Sequence, residues 1–398
     1  MMSVSGLKNA TGQVLRDGSG VPHALVSTPE VRQLNKTVRI LGTRGVPANY
    51  GGFETAAENV AGYLARKGWR VIVYCQADGK GPVVEDRWNG IERVTIPVDV
   101  EGWRGSALFD WLSIAHACKH RDMCLTFGYN TGIFNFRQRL LGIPNVVNMD
   151  GIEWSRKRWG KIRQAILYAG ERFAAVFSNH MIADHPEIEK YLWSRAPAKK
   201  ITMIAYGADV VLDPNADLIE KYGVVPGEYF TLIARPIPEN TILEIVRAYS
   251  RKPRGKKLLL LGGYTDADSY HVAVRAAASD EVIFPGGIYD KVTVQAIRAF
   301  ACGYFHGHTV GGTNPSLVEA MAAGNPVIAH DNAYNRWVVG DGALYFDDEA
   351  SAAEAIDRLT EDAELRSRLG KASLQRFIDH FTWDKVASEY ERLLLRYV

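Results

Sequence analysis

Two glycine-rich segments lie directly before helical patterns, where backbone N–H groups could bind phosphate. The first, residues 42–54, places Gly51 and Gly52 immediately before the helix. Glycines let a ligand approach the backbone closely, and a helix N-terminus adds a favourable positive potential. The glycine spacing differs from G-x-G-x-x-G, so a nicotinamide dinucleotide fingerprint is absent. The alternative interpretation is a tight turn between a strand and a helix that binds no ligand.

The second segment, residues 311–327, begins with Gly-Gly-Thr and continues with Asn314 and Pro315. Asparagine is a preferred N-cap and proline fits the first helical position, so a helix should begin here after uncovered backbone donors. The same physics therefore predicts a second anion site. Glu319 lies early in this helix. Its carboxylate either accepts hydrogen bonds from ribose hydroxyls or only interacts with the helix dipole.

Two charged residues follow apolar strand patterns and could take part in a transfer reaction. Arg235 follows residues 229–233, and its guanidinium could neutralise the charge that develops on a departing diphosphate. The alternative is an exposed surface arginine. Asp150 follows residues 145–148, and it could orient an acceptor hydroxyl or stabilise an oxocarbenium-like transition state. It could equally turn the chain through its own backbone bonds.

A basic stretch with interleaved tryptophans occupies residues 154–163. Its members are Trp154, Arg156, Lys157, Arg158, Trp159, Lys161 and Arg163. Basic residues combined with tryptophan suit an anionic membrane surface, or an acceptor carried on a polyprenyl diphosphate. The alternative is a solvated basic face or a loop that faces phosphate. Because no Asp-x-Asp motif stands in a convincing position, we expect a metal-independent reaction without a cofactor.

Alternating strand and helix patterns must position these residues. Strands are predicted at residues 38–41, 71–75, 123–127, 145–148, 229–233, 257–261, 282–284, 302–305 and 326–329, and helices at 53–64, 239–250, 269–278, 351–378 and 383–397. This alternation predicts an α/β protein with a doubly wound, mainly parallel sheet in each half. Ligands bind beyond the carboxyl ends of such strands, so a cleft between the halves is the expected site.

Length and composition agree with a two-domain globular protein. The 398 residues exceed the usual size of a single core, and 47 basic against 45 acidic residues do not indicate nucleic-acid binding. Four cysteines without a C-x-x-C pair argue against disulfides or zinc and favour a reducing cytoplasm. Residues 1–36 lack an apolar signal core and are predicted to form a flexible arm. No apolar run approaches the ~20 residues of a membrane-spanning helix, so any membrane contact should be peripheral.

Residues 44–55, 148–154 and 311–321 resemble the corresponding motifs of GT-B glycosyltransferases of family 4. The resemblance is closest to the bacterial rhamnosyltransferase-like branch with a DUF1972-type N-terminal domain, and it spans the chain from about Lys36 onward. It implies a GT-B fold, in which two Rossmann-like, doubly wound domains face each other across a cleft. The domains are predicted at residues 37–205 for the acceptor and 206–382 for the donor, with helix 383–398 packing back on the first.

The resemblance implies a retaining transfer of L-rhamnose or a related hexose from a dTDP-, UDP- or GDP-sugar. The acceptor would be a saccharide, linked to a polyprenyl diphosphate, in surface-polysaccharide synthesis at the inner face of the plasma membrane. Two alternatives stay open from the residues: a sugar-nucleotide epimerase and a non-catalytic nucleotide-sugar-binding protein.

Three sets of site residues follow from these interpretations. The catalytic set is Asp150, Arg235 and Glu319. The donor-binding set is Gly51, Gly52, Arg235, Asn240, Gly262, Ile288, Gly312, Thr313, Asn314, Ser316, Leu317 and Glu319, in which Gly262 and Ile288 would hold the nucleobase. The acceptor and membrane set consists of Glu54 and the basic stretch. The chain departs from the family pattern where a glutamate, a lysine and a histidine are replaced by Gly311, Asn240 and Asp150.

Overall fold

Two open sheets form the frame of the protein in a computed structural model, which describes residues 36–48, 51–156 and 159–398. The first sheet contains β1 (Thr37–Leu41), β2 (Arg70–Asp78), β3 (Val84–Trp88), β4 (Ile91–Val98), β5 (Met123–Phe127), β6 (Asn145–Asn148), β7 (His180–Ala183) and β8 (Ile201–Met203). The second contains β9 (Tyr229–Ile233), β10 (Lys257–Leu261), β11 (Val282–Gly286), β12 (Gly303–His306), β13 (Val327–His330) and β14 (Ala343–Phe346). The predicted arm, residues 1–36, lies outside the described residues except for Lys36.

Helices connect the strands of each sheet. In the first half they are α1 (Gly52–Arg66), α2 (Gly102–Ala117), α3 (Phe136–Leu140), α4 (Lys161–Phe177) and α5 (Pro186–Leu192). In the second half they are α6 (Asp217–Glu220), α7 (Ile242–Ser250), α8 (Ser269–Ala276), α9 (Lys291–Ala299), α10 (Pro315–Ala322), α11 (Ala333–Val339), α12 (Glu349–Glu361), α13 (Ala363–His380) and α14 (Trp383–Leu394).

Strand order places a switch point in each sheet. The first runs β3-β4-β2-β1-β5-β6-β7-β8, and its described pairs are parallel except β3 with β4. The second runs β11-β10-β9-β12-β13-β14 with parallel pairs throughout. Successive strands therefore diverge between β1 and β5, and between β9 and β12. The predicted α/β architecture with two doubly wound domains is confirmed, and ligands of such sheets bind at these switch points.

Two helices predicted as continuous are divided in the structure. A short 3-10 turn, Pro238–Asn240, precedes α7, and Thr241 between them adopts a left-handed backbone with a φ of 44°. The stretch predicted at residues 351–378 is two helices, because Asp362 ends α12 and caps α13 by accepting a hydrogen bond from Leu365 N–H at 2.8 Å. Side-chain capping by aspartate thus overrides the continuous helical pattern.

The last helix returns to the first sheet. Apolar residues of α14, including Trp383 and Leu394, belong to the same buried cluster as residues of α1 and β1. Two polar contacts fix the helix there: Trp69 Nε1 donates to Glu391 at 2.9 Å, and Asn148 Nδ2 donates to Tyr390 at 2.7 Å. The chain therefore crosses from the second sheet back to the first, and Lys36–Val398 form one compact unit.

Candidate active site

The N-termini of two helices, one from each half of the chain, meet at the switch points. Helix α1 begins at Gly52 and α10 at Pro315. A Cβ atom built on Gly52 would lie 3.5 Å from Pro315 Cγ and 3.8 Å from Tyr206 Cε2. Gly51, the N-cap, has a φ of 116°, a conformation that glycine adopts readily. Both helix ends therefore bring the positive potential of their N-termini to one small region.

Local capping and a buried hydroxyl set the position of α10. Asn314 Oδ1 accepts a hydrogen bond from Ser316 N–H at 3.0 Å, as the predicted N-cap should. The Ser316 hydroxyl bonds to Tyr304 at 2.7 Å and to the Ile233 carbonyl at 3.0 Å, which ties the helix to the end of β9. Ser316 is therefore held within the fold. The Leu317 side chain is fully buried in the apolar core and does not face a donor, and the donor-binding role of Leu317 stays a prediction.

Arg235 lies just beyond β9, at the edge of the second switch point, where its side chain is exposed. Burial, followed by the charges of Arg156 and Arg235, lowers the pKa of His308 to about 3, so Arg235 acts on the loop after β12. Asn240 has a different position from the one expected. Its side chain is buried, and its Nδ2 donates to the Arg235 carbonyl at 2.8 Å, so it supports the Arg235 turn instead of facing a donor.

The residues predicted to hold the nucleobase follow the neighbouring strands of the second sheet. Gly262 follows β10, and a Cβ atom there would lie 3.0 Å from the Ala234 carbonyl oxygen, so a side chain would press on the chain beside Arg235. Ile288 follows β11 and packs, partly buried, against the apolar cluster that contains Tyr229 and Leu261. Both positions lie on the side of β9 away from β12.

Glu319 has an ionic partner that sequence reasoning did not identify. Its carboxylate lies 2.6 Å from Arg298 Nη2, and only 4% of the Arg298 side chain is exposed against 39% for Glu319. Glu319 is thus fixed by an ion pair with a buried guanidinium, in addition to any interaction with the helix dipole. Burial first, and then the charge of Glu319, raise the pKa of Tyr206, the residue that faces Gly52. Glu319 therefore lies at the meeting point of the two helix N-termini.

Asp150 occupies a turn directly after β6. Its φ of 54° is left-handed, which aspartate tolerates better than most residues, and its N–H donates to Asn148 Oδ1 at 3.1 Å. The Tyr129 hydroxyl supports the same turn, because it donates to the Gly151 carbonyl at 3.1 Å and accepts from Glu153 N–H at 2.8 Å. The left-handed backbone fits the turn-forming interpretation of Asp150, although the side chain that bonds to the backbone there is that of Asn148. The turn also brings the Asp150 carboxylate near a second one.

That second carboxylate is Asp184, directly after β7, which the sequence analysis missed. Asp184 Oδ2 accepts a hydrogen bond from Thr313 N–H at 3.1 Å, and the Thr313 hydroxyl donates to the Asp184 carbonyl. A Cβ atom on Gly312 would overlap the Asp184 carboxylate, at 2.1 to 2.4 Å from its atoms, so glycine is required there. Thr313 and Gly312 thus form the contact between the loop before α10 and the first sheet.

Burial and the charge of Asp150, in that order, raise the pKa of Asp184 to about 7, while Arg156 acts in the opposite direction. The Oδ1 atom of Asp184 is buried and has no hydrogen-bond partner among the described residues. Neighbouring carboxylates with different surroundings titrate at different pH, as acid and base pairs require. A signal existed in the sequence: Asp184 follows a short apolar run as Asp150 does, and the carboxyl ends of neighbouring parallel strands share an edge.

The basic stretch divides between the cleft and the surface. Arg156 pairs with Glu153 at 2.6 Å and with Glu239 of the second half at 3.5 Å, and its side chain is 18% exposed. The expected membrane contact of Arg156 does not fit this position, because the guanidinium bridges the two halves. Lys161 and Arg163 are exposed at the start of α4. Lys157 and Arg158 lie outside the described residues.

The two tryptophans of the stretch are held by protein groups. Trp154 Nε1 donates to Glu171 at 3.0 Å and to Tyr191 at 3.0 Å. Trp159 Nε1 donates to Glu153 at 2.9 Å, and the Arg163 guanidinium lies 3.7 Å from the centre of the Trp159 ring. These contacts hold both indoles against protein groups, which does not fit the expected membrane contact of Trp154 and Trp159.

Glu54 is also engaged locally. Its Oε1 accepts a hydrogen bond from Arg44 N–H at 3.1 Å, and its Oε2 lies 2.1 Å from the place of a Cβ on Gly51. Glu54 therefore shapes the first glycine loop. Within residues 36–48, 51–156 and 159–398, no group of three or more His, Cys, Asp or Glu side chains could hold a metal ion. Across the same described ranges, no helix combines the length and apolar character needed to cross a membrane.

Comparison with known proteins relates each half of the chain to a family. The model described as "Domain of unknown function (DUF1972)" matches residues 35–209, and "Glycosyl transferases group 1" matches residues 221–376. Alpha-maltose-1-phosphate synthase of Mycobacterium tuberculosis is 24% identical over 297 residues, 63% of this chain and 72% of that protein. The lipopolysaccharide core biosynthesis glycosyltransferase LpsE of Rhizobium meliloti is 28% identical over 156 residues, 38% of this chain and 44% of that protein.

Solved structures share the fold over most of the chain. Sucrose-phosphate synthase of Thermosynechococcus elongatus superposes with a TM-score of 0.76 at 19% identity, covering 91% of this chain and 98% of that one. Anabaena HepE in complex with UDP superposes with a TM-score of 0.70 at 15% identity, covering 91% of this chain and 100% of that one. The chain is therefore a glycosyltransferase of the GT-B type, in which a DUF1972 domain precedes a glycosyl transferases group 1 domain.

Proposed function

We propose that the chain transfers a sugar from a nucleotide-diphosphate donor to a saccharide acceptor with retention of configuration. The observation that carries this proposal is the meeting of Gly52 and Pro315, the first residues of α1 and α10, at the two switch points. A diphosphate bound beside this contact would be stabilised by the positive potential of both helix N-termini. Anabaena HepE, which shares the fold, has been solved with UDP and with UDP-glucose, and this supports a nucleotide sugar as the donor.

Charge stabilisation at the leaving group follows from the same geometry. When the sugar–phosphate bond breaks, negative charge grows on the diphosphate, and donors already aimed at that charge stabilise the transition state most. Arg235 and the two helix N-termini would supply this stabilisation, so the proposed reaction needs no metal ion. Glu319, fixed by Arg298, would accept hydrogen bonds from the ribose, and Asp150 would orient the acceptor hydroxyl.

The identity of the two substrates is proposed from chemistry and resemblance. Gly311 contributes no carboxylate for a sugar hydroxyl, which favours a deoxysugar such as L-rhamnose carried on dTDP or UDP, with GDP as a further carrier. The relative LpsE is named for lipopolysaccharide core biosynthesis, and this supports an acceptor in surface-polysaccharide synthesis. We propose that this acceptor is linked to a polyprenyl diphosphate and reached from the cytoplasmic side of the membrane.

A single methyl group at Gly52 tests the proposed donor site. The Cβ of Gly52→Ala would contact Pro315 and Tyr206 at ordinary van der Waals distances, so the fold should persist. The same methyl would cover the start of α1 and keep phosphate away from the backbone there. Gly62→Ala, in the same helix, is the matched control, because its Cβ would lie 3.5 Å from Arg66 Nη1, the end of a flexible side chain.

The assay is a panel of UDP-, dTDP- and GDP-sugars read by thermal shift and calorimetry. One nucleotide sugar should stabilise the wild type and Gly62→Ala, since ligand binding raises the melting temperature. Gly52→Ala should lose at least about tenfold in affinity, which corresponds to ~1.4 kcal/mol. Equal donor affinity in both variants would contradict the proposal. Donor incubated alone distinguishes the alternatives: epimerisation of the sugar would indicate an epimerase, and binding without transfer to any acceptor would indicate a non-catalytic binder.

A further inference from the structure

Helix α4 exposes an apolar stripe to solvent. Ile162 is 81% exposed, Ile166 56% and Val176 64%, and Phe173 between them is 37% exposed. These positions recur at intervals of three, four and seven residues, which places them along one face of the helix. The opposite face, with Leu167 and Ala174, packs against the protein. The helix is therefore apolar on two sides, whereas a surface helix normally carries a single apolar stripe toward the core.

Helix α3, which packs against α4, also exposes apolar side chains. Leu140, at the end of α3, is 79% exposed and Leu141 is 38% exposed. The two helices are in contact, and the Phe136 and Phe177 rings lie 6.5 Å apart. We call the exposed side chains of Leu140, Ile162, Ile166, Phe173 and Val176 the α4 face. Apolar patches of this continuity are rare on soluble monomers and mark interaction sites.

All exposed charges on these two helices are positive. Lys161, Arg163 and Arg172 of α4 and Arg139 of α3 are exposed. The one acidic residue within Phe136–Leu140 and Lys161–Phe177 is Glu171, which is buried and paired with Arg195 at 2.6 Å. An apolar stripe flanked only by basic residues is complementary to an anionic lipid surface, which offers acyl chains beneath negative headgroups.

We propose that the α4 face inserts into an anionic membrane surface. A second copy of this chain fits less well, because a two-fold contact through this face would bring the basic flanks of both copies together. The inference rests on the proposed function in one respect: the membrane contact would serve to deliver a lipid-linked acceptor. It also moves the membrane contact away from Trp154 and Arg156, which the protein itself engages.

A series of contacts joins this face to the cleft. The Arg163 guanidinium covers the Trp159 ring, Trp159 donates to Glu153, and Glu153 pairs with Arg156. Arg156 in turn contacts Glu239 of the donor domain. The N-terminal end of α4 therefore lies beside the cleft, so that an acceptor extending from the membrane would arrive at the cleft edge.

The experiment measures vesicle binding by the full chain. The variant carries Ile162→Gln, Ile166→Gln and Val176→Gln, and its matched control carries Val225→Gln, Val272→Gln and Val292→Gln, three exposed apolar residues of the other domain. Wild type and control should cosediment with phosphatidylglycerol vesicles, less so at high salt, and not with pure phosphatidylcholine. The α4 variant should bind at least about tenfold more weakly, because buried apolar area and charge together set the affinity.

Three results would overturn the inference. The first is a wild type that leaves phosphatidylglycerol vesicles unbound, and the second is an α4 variant that binds them as well as the wild type does. Alternatively, the wild type could sediment as a dimer without lipid and the variant as a monomer, which would assign the face to a second copy. Turnover of a short soluble acceptor separates this inference from the proposed function. The α4 variant should retain that turnover, whereas failure of the proposed function would abolish turnover in every form, wild type included.

Discussion

The substitution Asp184→Asn should make the protein more stable and should remove part of its dependence on pH. In the folded chain, burial and the neighbouring charge of Asp150 raise the pKa of Asp184 to about 7 from the ordinary aspartate value of 3.8. The charged groups that face it are Asp150 and Arg156. Burial raises the pKa of Tyr334 and Tyr390, and the charge of Asp184 adds a smaller contribution in the same direction. Asparagine keeps an oxygen for Thr313 N–H and never acquires the charge.

The magnitude follows from linkage between protonation and folding. A raised pKa in the folded state means that the folded chain holds the proton of this carboxyl more tightly than the unfolded chain does. The resulting contribution to the free energy of unfolding is complete below about pH 4 and is lost as the pH rises to about 7. A difference of about three pKa units corresponds to an upper bound of about 4 kcal/mol. Wild type and Asp184→Asn should therefore have similar free energies of unfolding at about pH 4. As the pH rises to neutral, the variant should become progressively more stable than the wild type. Above about pH 7 the difference should stay constant.

The measurement is the urea midpoint, followed by tryptophan fluorescence, at several pH values between about 4 and 8. Asp341→Asn, at an exposed position of the second domain, is the matched control and should leave the pH dependence as in the wild type. Parallel pH curves for wild type and Asp184→Asn would refute the argument. They would mean that ionisation of Asp184 at neutral pH does not destabilise the fold, because a partner group compensates the charge of its carboxylate in the dissolved protein.

Three further predictions concern the site. Glu319→Gln should weaken donor binding in calorimetry by ~1–3 kcal/mol through lost bonds to ribose, and should lower the urea midpoint because Arg298 loses its anion. If the donor affinity and the urea midpoint are both unchanged, Glu319 only interacts with the helix dipole. Arg235→Ala should raise the activation barrier by ~2–4 kcal/mol in steady-state kinetics, whereas Arg251→Ala, an exposed arginine after α7, should not. Activity should persist in excess EDTA, and a loss that magnesium or manganese restores would sink the metal-independent mechanism.

Local signals in the sequence determined where the phosphate-binding elements begin. Gly51 and Gly52 before an amphipathic pattern, and Asn314 followed by Pro315, are sufficient to start α1 and α10, because capping and helix entry depend on adjacent residues. The apolar runs that became β1, β5 and β9 were equally visible, since buried parallel strands read as continuous apolar segments. The edge strand β3 was not predicted because its residues are mostly exposed and therefore form no apolar run.

Only the tertiary structure decided which side chains meet. Asp184 reaches Thr313 across 129 positions of sequence, and Arg156 reaches Glu239 across 83, so no local pattern could pair them. The partner of Glu319 was hidden for the same reason, because Arg298 belongs to another helix. The sequence of α4 contains two apolar stripes, but periodicity alone cannot tell which one is buried. That choice depends on the packing of α4 on the first sheet, which leaves Ile162, Ile166 and Val176 facing outward.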